Sequence, residues 1–142
     1  MTDNLSKYDQ FEKRLTDKYP AMFSQPYGGI AVGEGWWPII ESLCGNIQHY
    51  LNWINTNHEK HPVVEQVVVT QVKEKFGGLR FYYDGGDDRV IGMVRMAESW
   101  ADKTCEDCGV PATKKTGGWI KNVCDKHFEE YEARRKERLG IK

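Results

Sequence analysis

The chain has 142 residues and a net charge of −1, from 20 Lys and Arg against 21 Asp and Glu. That balance argues against a protein dominated by nucleic-acid or membrane electrostatics. The length suits one domain, or a domain with a small appendage, large enough to build a core without disulfides.

In chain order, residues 4–19 read as a helix, with Tyr8, Phe11, Leu15 and Tyr19 on one face, a cap at Asn4 or Ser6, and Pro20 as the stop. Residues 24–35 form a glycine-rich loop. A phosphate cradle fits it poorly, because no Gly-Lys-Ser/Thr follows and Pro38 stands where G-x-G-x-x-G needs its third glycine. Residues 36–57 carry the longest helical pattern. Trp37, Ile40, Cys44, Ile47, Leu51 and Ile54 form a stripe widened by Trp36, Ile39, Leu43, Tyr50 and Trp53, and Pro38 sits in the first turn. So wide an arc predicts a central core helix, with Cys44 as a buried thiol.

Residues 64–74 and 79–84 read as two strands of an antiparallel hairpin turning at Phe76-Gly77-Gly78. The acidic run Asp84 to Asp88 is too short and irregular for a calcium loop and predicts a turn with a helix cap. A helix over 88–103 follows, with Val90, Ile91, Val94, Ala97, Trp100 and Ala101 expected to face inward.

Cys105 and Cys108, then Cys124 and His127, spell C-x2-C, fifteen residues, C-x2-H, the spacing of a structural zinc site. Gly109 suits the tight knuckle after the first pair. A turn at Thr116 to Trp119 leads to a strand over 119–123. Cys124 and His127 open a helix running to about Leu139, where positions i and i+3 share a face. Four protein ligands leave no open position, so Zn2+ is expected to be structural. This layout resembles treble-clef zinc fingers over residues 105–139. Nuclease variants of that finger need histidines in the hairpin, and residues 109–123 have none. The H-x-E and P-C-x-x-C pattern of zinc deaminases fails at His58-Glu59-Lys60 and Thr104-Cys105.

The sequence reads as an α+β fold, with a core over residues 1–104 and a zinc-finger module over 105–142 packed on it or appended to it. The first part has 11 basic and 14 acidic residues, the second 9 and 7. Within the module, Lys114, Lys115, Lys121, Arg134, Arg135 and Arg138 are candidates for tracking a phosphate backbone, although glutamates interleave with those of the last helix. His58 and His61, together with the glycine-rich loop, are the places where an enzyme site would have to lie. No apolar run approaches the roughly 20 residues that span a bilayer. The polar start Met1-Thr2-Asp3-Asn4 lacks the apolar stretch of a signal peptide. A cytoplasmic protein is expected, its paired cysteines kept reduced as metal ligands.

The segment Gln71 to Tyr83, with its KEKFG and LRFYY stretches, and the finger that follows resemble a group of small uncharacterised proteins of bacteriophages and bacterial genomes. The likeness spans roughly residues 66–128. It implies a phage or prophage setting and no particular activity. The expectation drawn from all this is a non-catalytic, zinc-stabilised accessory protein that binds a host or phage protein, as an inhibitor of a host system for example. The alternatives are a nucleic-acid-binding finger protein and a small enzyme.

Overall fold

A wide apolar stripe can only be satisfied by burial on several sides, and the 20-residue helix α2 (Trp37–Thr56) obtains it at the centre of the fold. The computed structural model describes residues 5–57 and 59–140. Before α2 come helix α1 (Lys7–Lys18), a short strand β1 (Ile30–Ala31) and one 3-10 turn (Glu34–Trp36). After it come the hairpin strands β2 (Val68–Lys75) and β3 (Gly78–Asp84), helix α3 (Asp88–Asp102), the small strands β4 (Lys114–Lys115) and β5 (Asn122–Val123), and helix α4 (Asp125–Leu139). The α+β class expected from the sequence is the observed one.

The main sheet has the order β1-β2-β3. Strands β2 and β3 are antiparallel, with a bulge between Val69 and Gln71, and β1 adds to β2 in parallel, pairing Ile30 with Val72. The sheet is thus mixed rather than purely antiparallel, because the glycine-rich loop contributes a strand. The hairpin loop has two residues, Phe76 and Gly77, both with positive φ (54° and 82°), which is the turn form that matches strand twist. Gly78 lies in the ladder opposite Lys75 rather than in the turn.

The core is built from Phe11 and Leu15 of α1, Trp36, the apolar stripe of α2, Val69, Val72, Leu79 and Phe81 of the hairpin, and Val90, Val94, Ala97 and Ala101 of α3. Cys44 is fully buried. Two residues of α3 depart from expectation: Ile91 and Trp100 are exposed. The buried strip of α3 runs 90, 94, 97, 101, and Trp100 sits about 100° round the helix from Ala101. Trp53 and Tyr8 likewise end half exposed at the margins of their stripes.

Local chemistry explains the ends. Ser6 caps α1 by accepting from the Asp9 amide. Pro38 falls in the first turn of α2. Asp87 caps α3, accepting from the amides of Arg89 and Val90 and from the Tyr50 hydroxyl. The acidic run therefore serves as turn and cap. Asp87→Ala is expected to lower stability by about 1–2 kcal/mol, as cap removals do, read from the urea midpoint. Among the described residues, no helix is long and apolar enough to cross a membrane.

Candidate metal centre

A Cys-x2-Cys pair can address one point only if the chain between the sulfurs folds into a tight knuckle. Here the knuckle is closed by two backbone bonds, Gly109 N–H to the Cys105 carbonyl at 2.9 Å and Cys105 N–H to the Val110 carbonyl at 2.7 Å. Gly109 takes φ +85°, open to glycine and strained for other residues. The second pair comes from the start of α4. Cys124 is the residue capping the helix and His127 lies on its first turn. The β4–β5 hairpin between the pairs carries Asn122 and Val123 to the back of the site. Knuckle, hairpin and helix thus follow in the expected order, although the strand before Cys124 is only Asn122–Val123.

The four donor atoms of Cys105, Cys108, Cys124 and His127 all lie within 4.8 Å of one another and can hold a metal ion. The Sγ atoms of Cys108 and Cys124 are 3.8 Å apart. The Nδ1 of His127 is 3.5 Å from the sulfur of Cys105 and 3.2 Å from that of Cys124. A tetrahedral ion with bonds of about 2.3 Å to sulfur and 2.0–2.1 Å to nitrogen requires about 3.8 Å between sulfurs and about 3.5 Å from sulfur to nitrogen. The Cys108–Cys124 and Cys105–His127 separations match those values, and Cys124–His127 is about 0.3 Å shorter. They are far too long for a disulfide, whose sulfurs stand about 2.05 Å apart. The His127 backbone N–H, at the head of α4, lowers the Cys124 thiol to about 7, favouring the thiolate a metal needs. On the far side of the ring, the Nε2 of His127 stands 3.9 Å from the Glu130 carboxylate, a group of the kind that orients metal-bound imidazoles.

The site is fastened to the core at three points. Gly35 N–H bonds the Glu106 carbonyl at 2.8 Å, and Gly33 N–H bonds the Glu106 carboxylate at 2.9 Å. From the other side, the Asn122 side-chain amide donates to the Gly77 carbonyl in the hairpin turn at 2.9 Å. Just before the knuckle, the buried Trp36 indole donates to the Thr104 carbonyl at 2.9 Å. The glycine-rich loop therefore has a structural task. Its Gly33 and Gly35 let the backbone come against the knuckle, where a side chain would collide with Cys105, Glu106 and Gly109.

Of the six basic candidates, Lys121, Arg134, Arg135 and Arg138 line one cleft of about 290 Å3 between the finger turn and α4. Lys114 instead lies over the Phe128 ring, 5.0 Å from its centroid, and Lys115 is exposed on β4. Within the cleft Lys121 is occupied, bonding Asp107 at 2.7 Å and the Tyr131 hydroxyl at 2.6 Å. Trp119 and Tyr131, not singled out from the sequence, complete the walls. Of the enzyme candidates, His61 is exposed, its ring 6.4 Å from that of Trp53, and it lines an open recess of about 530 Å3 with Glu65, Arg89 and the Tyr50–Asp87 pair, in which Asp87 already caps α3; His58 lies outside the described residues.

Comparison with protein-family models, curated proteins and solved structures finds no match.

The two kinds of thiol predict a simple count. Burial pushes Cys44 up to about 12 and seals it in the core. Cys105 is as buried as Cys44 in the folded finger, so the count rests on the finger opening when its metal is removed: a thiol reagent should modify three cysteines in the chelator-treated chain and the fourth only in denaturant. With metal bound, those three should be slowed as well. Rapid reaction of all four in the native, metal-loaded chain would count against the assignment.

Proposed function

We propose that this chain is a zinc-stabilised, non-catalytic binding protein of the cytoplasm, in which one zinc ion on Cys105, Cys108, Cys124 and His127 holds the finger in shape against the core. The observation that carries this reading is the closed donor set, four protein donor atoms gathered within 4.8 Å of one another. Three thiolates and an imidazole suit zinc better than magnesium, calcium or manganese, which take oxygen ligands. Four protein donors leave no position for substrate or water. When bound, the ion supplies folding energy rather than reaction chemistry. The residues around it then act as fasteners: Glu106 and Asn122 tie the finger to the glycine loop and the hairpin turn.

The phage or prophage setting suggested by the sequence resemblance gives such a protein a plausible task, binding a host or phage component. A protein partner is supported by the apolar recess between α2 and α3, where Met96 and Trp100 stand exposed beside Leu43. Nucleic acid is supported by the basic cleft on the finger, where the candidate ligand chemistry is more specific. An enzyme site in the glycine-rich loop has less support, because Gly33 and Gly35 serve as the seat of the knuckle.

A closed structural site can be told from a catalytic one by cobalt substitution. Cobalt(II) should enter with the intense visible absorption of a tetrahedral thiolate site, and the spectrum should stay unchanged when azide or imidazole is added. A spectrum that shifts with added ligand would reveal an open coordination position and overturn the non-catalytic reading.

A further inference from the structure

Two recesses lie side by side on the finger and share one wall, Trp119. On one side is the basic cleft. Arg134 and Arg138, four residues apart, share a face of α4, and the Arg135 guanidinium lies over Gly117 of the finger turn. On the other side is an apolar slot of about 300 Å3, formed by Phe76 at the hairpin tip together with Trp119 and Ile120. Trp119 is 75% exposed and Phe76 74%. No packing in the fold requires them there, and aromatic rings so exposed are costly in water. Phe76 is also the only non-glycine residue with positive φ among those described. The two-residue hairpin turn requires that φ, and it holds the Phe76 side chain out at the hairpin tip.

A nucleotide unit has the same two-part character, a charged phosphate joined to a flat ring with an apolar face. We infer that this surface binds single-stranded nucleic acid, with bases stacking on Trp119 and Phe76 and phosphates held by Arg134, Arg135 and Arg138. Duplexes hide base faces inside the stack, so exposed aromatic platforms select single strands. Arginine suits the phosphate role because its planar fork gives paired hydrogen bonds. Arg134 already lies over the Tyr131 ring, 4.5 Å from its centroid, which holds the guanidinium in place. The cleft also contains Glu132, which pairs with Arg135 at 3.8 Å, and Lys121 is committed to Asp107. Three arginines remain as candidate phosphate contacts, and Glu132 leaves them a net charge of about two, a modest number consistent with a chain of net charge −1.

The inference rests on a folded finger and so on the proposed metal. The assay therefore uses the full chain with its zinc content measured in the same sample, so that failure to bind with metal in place overturns the nucleic-acid inference alone. Labelled thymidine and uridine oligonucleotides of about 15 residues are titrated at low salt and followed by fluorescence anisotropy. Binding is expected to at least one of them, with an unlabelled duplex of the same length competing poorly. The slope of log affinity against log salt should be about −2, from three contacts at about 0.7 each. A preference between the two oligonucleotides names the natural strand as DNA or RNA. Trp119→Ala should weaken binding by about tenfold or more while leaving the salt slope unchanged. The pair Arg134→Ala with Arg138→Ala should flatten the slope to about −0.7. Arg95→Ala, on the exposed side of α3, should change nothing. Absence of salt-dependent binding, or binding indifferent to Trp119 and to the arginine pair, would overturn the inference. So would binding confined to vesicles containing phosphatidylserine, which would make the same aromatic and basic surface a membrane face.

Discussion

Serine at Cys105 or Cys124 is expected to melt the finger and to weaken the core that carries it. Zinc binds finger peptides with an apparent free energy of about 10–16 kcal/mol near neutral pH, as large as the whole stability of an ordinary domain. The finger has little else to stand on. Its own buried cluster comprises Cys105, Val123 and Cys124, with Phe128 and Tyr131 packed on it, and α4 buries no residue fully. Two of those three buried residues are themselves candidate ligands. The core should feel the loss through the bonds Gly33 to Glu106, Gly35 to Glu106 and Asn122 to Gly77. At about 1 kcal/mol for each hydrogen bond, this is about 3 kcal/mol, or a fall of roughly 10 °C in the unfolding midpoint. Hydrogen exchange should show residues 105–139 losing protection while α2 and the β2–β3 hairpin keep most of theirs. A chelator should reproduce the mutant pattern in the wild type, and added zinc should reverse it. Unchanged melting and exchange after complete chelation would contradict the structural role of the site.

Alanine at Gly35 is expected to be nearly as damaging, although the change is one methyl group. A Cβ there would stand 2.5 Å from the Gly109 amide nitrogen, 2.7 Å from the Glu106 carbonyl oxygen, and closer still to the Cys105 carbonyl. These are backbone atoms of the knuckle. They cannot withdraw without moving the sulfurs of the candidate metal site. Overpacking against rigid backbone should cost about 3 kcal/mol or more. Because docking and metal binding would be linked, zinc affinity should fall with stability. Gly92→Ala provides the contrast: it lies in α3 with nothing within 4 Å of the added Cβ. It should stabilise by up to about 1 kcal/mol, from helix propensity alone. Urea unfolding of the two variants beside the wild type checks both signs. A Gly35→Ala chain as stable as the wild type would mean that the loop does not seat the knuckle.

That contrast also marks what the sequence could reveal. The cluster of Cys105, Cys108, Cys124 and His127 was legible because metal chemistry imposes short, fixed spacings within each pair. The hairpin was legible because β-branched strands flank a glycine-bearing turn, and the α2 core helix because its apolar positions keep the helical period over five turns. The role of Gly33 and Gly35 was not legible. Their partner, the knuckle, lies about 70 residues away, and a glycine selected for close approach looks locally like a glycine selected for a turn. The addition of β1 to the sheet was hidden for a related reason: a two-residue strand has no periodicity. Trp100 was misplaced because it adjoins a buried position, and an apolar residue beside the stripe reads as part of it. The basic residues could be named but not sorted. Only the fold brings Arg134, Arg135 and Arg138 opposite Trp119 and sends Lys114 to Phe128.

The most direct measurement is elemental analysis of the purified chain, wild type beside Cys124→Ser. About one zinc per wild-type chain, strongly reduced in the variant, is the predicted result. A wild-type chain that is folded yet holds no zinc, and takes up none when it is supplied, would contradict the account at its centre.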